Sequence, residues 1–121
     1  DLLNAFGCFP QNTKIKLLDG TYKEMSKLNL GDKLISGGSV HAILRVRGSE
    51  KNKYYKIYSN ELKDYIYVTG DHLINDKGKF KPVKDYKEAI KTNKWDKEMS
   101  CLVTTNNLIP IGEYIFWDWE D

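Results

Sequence analysis

The chain has 121 residues, 40% hydrophobic and 30% charged, with nine glycines against three prolines, the composition of one folded domain rather than of a disordered or fibrous chain. Nineteen Lys and Arg against seventeen Asp and Glu leave a formal charge of +2, far short of the basic balance that nonspecific phosphate binding needs, so nucleic acid is not an expected partner. No apolar run approaches the roughly 18 residues of a membrane span, and residues 1–6 lack the basic start and cleavage site of a signal peptide, so no membrane partner is expected and the compartment stays unassigned.

Eight Tyr, four Phe and three Trp, spread over short apolar runs punctuated by glycine, predict a β-rich chain. Residues 14–18 place Ile15 and Leu17 on one face and run into Asp19-Gly20, which predicts a hairpin. Leu28, Leu30, Leu34 and Ile35 surround Gly31-Asp32, where Asp32 serves the turn; Gly37-Gly38 then breaks the chain before a strand with Val40, Ile43, Leu44 and Val46. His41 within that strand reads as a surface or packing residue. Residues 54–58 and 65–68 predict two strands joined by a polar loop at Ser59-Asn60, and Leu73-Ile74 pairs with residues 80–83 across Asp76-Lys77-Gly78. Residues 85–98 are lysine-rich and accommodate at most a short helix and a surface excursion. Residues 101–104 and 108–111 are short strands around Asn106-Asn107, and residues 114–119 form a closing strand packed by Trp117 and Trp119. The fold class is therefore all-β with long-range pairings.

Two cysteines, Cys8 and Cys101, allow a single disulfide, and a closed zinc site would need both of them together with His41 and His72, so no metal or cofactor is expected. The chemistry concentrates at Gly7-Cys8. A thiol there can attack the preceding carbonyl through a five-membered ring and move the acyl group from nitrogen to sulfur. A planar amide resists this, so a fold that promotes it must polarise the bond, stabilise the oxyanion and protonate the departing nitrogen. Thr69-Gly70-Asp71-His72, at the end of a strand, supplies a hydroxyl and an imidazole whose ordinary pKa of about 6.5 suits proton transfer near neutrality.

Cys8-Phe9-Pro10-Gln11-Asn12-Thr13-Lys14-Ile15, then Asp19-Gly20, then Leu30-Gly31-Asp32-Lys33-Leu34, resembles the opening block of the Hint (hedgehog/intein) superfamily, and Thr69-x-x-His72 resembles its second block. The resemblance runs from Cys8 to about Trp119. It implies a horseshoe of long and short antiparallel strands with pseudo-twofold halves, and autocatalytic acyl rearrangement at the junction before the first Hint residue. Residues 1–7 then become an upstream, extein-like segment and residues 8–121 the Hint domain. Carried over residue by residue, Cys8 is the nucleophile, Thr69 orients or polarises the scissile Gly7-Cys8 amide, His72 protonates its nitrogen, and Asp71 tunes His72. Cys101 falls near a position where inteins carry a catalytic Asp or, in a minority, a Cys that accepts the acyl group; the plainer reading is a buried apolar thiol on a strand.

The implied partners are the upstream segment in cis and a small nucleophile, water or a thiol, acting on a monomer. Splicing inteins end in His-Asn before a further nucleophile, whereas this sequence ends Trp119-Glu120-Asp121. Its last strands, Leu102-Val103-Thr104 and Leu108-Ile109-Pro110-Ile111, are similar to the hedgehog pattern, without residues for a sterol-recognition region. Asp118 and Glu120 are within conceivable reach of the site but are not counted among its residues. The sequence thus supports a self-processing domain that makes a thioester at Gly7-Cys8, with two alternatives: an inactive Hint-derived structural or binding module, and a fragment of a splicing intein.

Overall fold

The computed structural model describes residues 8–118; the expectations for Gly7, Trp119 and Glu120 fall outside the described residues. Its first element is the expected hairpin, β1 (Lys14–Lys16) against β2 (Tyr22–Glu24). Asp19 Oδ1 accepts hydrogen bonds from the Thr21 backbone N–H at 3.0 Å and the Thr21 hydroxyl at 2.6 Å, and Gly20 takes φ +88°, a conformation open to glycine without strain. Asp32 ties the next loop to this hairpin by accepting from the Asn29 N–H at 2.8 Å and Lys23 Nζ at 3.0 Å. Those donors hold its carboxyl below the usual carboxylate range.

The central strands are β3 (Val40–Arg47), β4 (Tyr54–Ser59) and β5 (Asp64–Thr69), followed by the hairpin β6 (Leu73–Asp76) and β7 (Lys79–Pro82). All five were expected from short apolar runs and turn residues. Residues 85–98 have no buried member, in keeping with the expected surface excursion, and begin at the end of a 3₁₀ turn. What was not expected is β8 (Ile90–Lys91), which pairs antiparallel with the free edge of β4 at Lys56↔Ile90 and Tyr55↔Lys91. An open strand edge offers unpaired backbone groups, and a polar segment with few apolar members satisfies them more readily than it buries a helix face.

The chain closes with β9 (Glu98–Thr104), β10 (Leu108–Ile111) and β11 (Tyr114–Trp117). Although consecutive, β9 and β10 lie in different sheets: β9 pairs with β3, and β10 joins a four-stranded sheet in the order β10-β11-β6-β7. Pro110 sits in β10, an edge strand, where its missing N–H breaks no ladder. All the sheets are antiparallel, and the only helical pieces among the described residues are the 3₁₀ turns Met25–Lys27 and Val83–Asp85. No helix among the described residues is long and apolar enough to cross a membrane.

The inward residues of these sheets, among them Ile15, Leu34, Ile57, Val68, Ile74, Leu102, Ile109 and Phe116, make one continuous core that also takes in Phe9. Beside it lies a smaller buried cluster of Cys8, Tyr54, Met99 and Cys101, flanked by Val46 and Tyr67. The residue where the chemistry was expected is therefore packed as core. Leu102 is fully buried in β9, whereas Leu30 is 72% exposed. Leu102→Ala is expected to lower stability by about 2–5 kcal/mol and Leu30→Ala by no more than about 0.5 kcal/mol, measured by urea denaturation.

Candidate functional site

Thr69 is the last residue of β5, and from there the chain turns through Gly70 and Asp71 so that the His72 N–H returns to the Thr69 carbonyl at 3.2 Å. Gly70 is required by a close approach: a Cβ there would meet Cε1 of the Tyr55 ring at 2.7 Å. This turn receives the start of the described chain. The Cys8 N–H donates to Thr69 Oγ1 at 3.2 Å, and the Thr69 N–H donates to the Cys8 carbonyl at 3.2 Å. On its other side the segment is held by β9, where Phe9 and Ser100 exchange both backbone hydrogen bonds, at 2.9 and 2.8 Å. The amide nitrogen of Cys8, one end of the bond expected to break, thus rests on the hydroxyl expected to orient it.

His72 is 2% exposed and lies among aromatic rings, 4.5 Å from Phe9 and 5.5 Å from Phe116 between centroids. Its Nε2 stands 2.6 Å from the Trp117 carbonyl oxygen. A carbonyl only accepts, so Nε2 carries the hydrogen, and in the neutral ring Nδ1 presents a bare lone pair. Nδ1 is buried and has no hydrogen-bond partner among the described residues. Burial lowers the His72 pKa from 6.5 to about 4, an effect that the bond to the Trp117 carbonyl partly offsets. The ring is accordingly neutral at physiological pH and, once protonated, more acidic than an ordinary imidazolium.

Asp71, expected to tune His72, does not reach it: its carboxylate pairs with Lys84 Nζ at 2.9 Å, and the His72 shift comes from burial and from Trp117. The partner that does act on His72 is a backbone carbonyl, which carries no side-chain signature for sequence reading to find. Cys101 is buried in β9, as expected, but is not the free thiol of the plainer reading: it forms a disulfide with Cys8. Asp118 accepts from the Thr104 N–H at 2.7 Å and from Asn107 Nδ2 at 3.0 Å, fastening the end of β11 to the connection between β9 and β10. His41 is exposed on β3, and no group of three His, Cys, Asp or Glu side chains among the described residues is arranged to hold a metal ion.

Comparison with solved structures places this architecture. The crystal structure of a DnaB intein from Synechocystis sp. PCC 6803 matches with a TM-score of 0.71 at 12% sequence identity, covering 93% of this chain and 98% of that one. The gp41-1 intein matches with a TM-score of 0.64 at 19% identity, covering 93% and 98%. A triply substituted form of the gp41-1 intein matches at 0.66 and 20%, covering 93% and 99%. The chain has the fold of inteins. No protein-family model matches the sequence, and no curated protein matches it.

The buried imidazole leaves a pH signature. Because the folded pKa of His72, about 4, lies below its unfolded value of 6.5, the unfolded chain takes up the proton first as pH falls. Stability from this group is complete above pH 6.5 and is lost between there and pH 4, by roughly 3 kcal/mol. Thermal melts of the wild type and of His72→Gln at pH 7 and pH 5 check this: the drop on acidification is expected to be smaller in the variant.

Proposed function

We propose that the chain is an intein-like self-processing domain, with residues 8–121 as the domain and residues 1–7 as the tail of an upstream segment. Its reaction moves the Gly7 acyl group from the Cys8 nitrogen to Cys8 Sγ. The observation that carries this reading is the seat of Cys8: its amide N–H on Thr69 Oγ1, and the neighbouring Phe9 ring packed at a tilt against a histidine whose Nδ1 has no partner among the described residues. The intein fold supports it.

In the reduced form of the site, neutral His72 accepts the thiol proton of Cys8 at Nδ1, and the thiolate attacks the Gly7 carbonyl carbon. Thr69 Oγ1 holds the Cys8 N–H and so fixes the rotation of the amide during attack. His72 then returns the proton from Nδ1 to the Cys8 nitrogen, the C–N bond breaks, and a thioester remains. The Trp117 carbonyl keeps the tautomer constant through both transfers, since it engages only Nε2–H. A folded pKa of about 4 makes protonated His72 a willing donor to a poor leaving group, while the same shift makes it a reluctant base toward the thiol. The thioester is then open to water, a thiol, or a downstream nucleophile.

The test is release of residues 1–7 from the full chain, reduced with a phosphine and offered hydroxylamine, followed by mass spectrometry. Cys8→Ala is expected to abolish release. His72→Ala is expected to slow it by roughly 10²- to 10⁴-fold, and Thr69→Ala by about tenfold, the worth of one orienting hydrogen bond. An unchanged mass in the reduced wild type would favour the inactive structural module instead. Because His72 stays neutral well below pH 6.5, the wild-type rate is expected to show no inflection near that pH.

A further inference from the structure

Cys8 and Cys101 face each other across a backbone register, and that register comes from hydrogen bonds rather than from the sulfurs. Phe9 and Ser100 are an antiparallel hydrogen-bonded pair, so one step along the same register places Cys8 opposite Cys101. Their Cα atoms are 4.6 Å apart, the spacing of the narrow, non-hydrogen-bonded position, where facing side chains are closest. It also lies inside the range a disulfide requires. The two sulfurs are thus held together by β9 and the Phe9 bridge whether or not they are bonded. Such a pair forms and breaks its bond without rearranging the backbone. It lies against Tyr54 and Met99, with both cysteines fully buried.

We propose that the Cys8–Cys101 disulfide is a redox gate on self-processing, an inference that rests on Cys8 being the nucleophile as argued above. While Cys8 Sγ is bonded to Cys101 Sγ it has no thiolate with which to attack Gly7, so the oxidised chain holds its upstream segment intact. Opening the gate consumes two small-molecule thiols, such as reduced glutathione. Their sulfurs join as a disulfide, the Cys8–Cys101 bond breaks, and the two thiol protons end on Cys8 and Cys101. Closing it runs the other way, with a small-molecule disulfide taking the two electrons. A thiol-rich compartment triggers the reaction and an oxidising one stores the precursor.

The full chain is oxidised with glutathione disulfide, desalted and offered hydroxylamine, with and without a phosphine, which reduces disulfides but does not itself take the acyl group. Thiols are counted by alkylation under denaturing conditions, and loss of residues 1–7 is followed by mass. The oxidised chain is expected to take up no alkylating agent and to stay intact. Phosphine is expected to expose two thiols and accelerate release by about tenfold or more. Cys101→Ser, carried through without glutathione, is expected to release residues 1–7 without phosphine. Two alkylatable thiols after oxidation, release that occurs equally with and without phosphine at a measurable rate, or a Cys101→Ser chain that still needs phosphine would each overturn the gate alone. A fully reduced chain that never releases residues 1–7 would instead overturn the self-processing reading, and the gate with it. If Cys101→Ser does not fold, the thiol count and release of the wild type still decide the question.

Discussion

The site depends on how two residues are seated. Cys8 and Phe9 have no sheet of their own; they lie in a slot between the end of β5 and the middle of β9, hydrogen-bonded to Thr69 on one side and Ser100 on the other. From that seat the backbone alone determines the rest. The Cys8 amide meets a hydroxyl, the Phe9 ring meets an imidazole, and the Cys8 side chain meets Cys101. A shift of one residue would turn each side chain to the opposite face and undo all three relations. The core enforces the register, because Phe9 is fully buried against Phe116 and His72 and has no second place to pack.

His72 shows how packing sets chemistry. A buried imidazole is disfavoured in its charged form, and here only one carbonyl compensates. The protein therefore holds a neutral ring in an apolar setting, with one nitrogen committed and the other uncommitted among the described residues. The arrangement lowers stability in acid and makes the protonated ring a stronger acid than an exposed imidazolium. Asp71 stands one residue away, yet its charge is engaged by Lys84 on the solvent side of the turn. Proximity in sequence did not become proximity in space because a tight turn sends successive side chains in different directions.

Much of the architecture was legible beforehand. Asp19-Gly20 and Asp76-Lys77-Gly78 announce their hairpins through turn chemistry that acts over a few residues, and Ile15 and Leu17 mark one face of the first strand by alternation. The motif residues Cys8, Thr69 and His72 were also visible, through thiol chemistry and the resemblance of their motifs to the Hint blocks. The strand within residues 85–98 was not, because a two-residue strand like β8 has no pattern of its own and exists only where β4 offers an open edge. Nor was it apparent that β9 would leave β10 to pair with β3, since alternation says which face is buried and nothing about which edge is met.

Composition, periodicity and turn residues determined by themselves that this is an all-β chain, while thiol chemistry and the resemblance to the Hint superfamily marked a cysteine, a threonine and a histidine as its candidate residues. Only the tertiary structure decided that the Cys8 nitrogen rests on Thr69, that the Trp117 carbonyl selects the tautomer of His72, and that Cys8 lies opposite Cys101. The reason is range. Local preferences act over a few bonds, whereas these contacts join residues 61, 45 and 93 positions apart, and such partners meet only when sheet closure and core packing select one register from many.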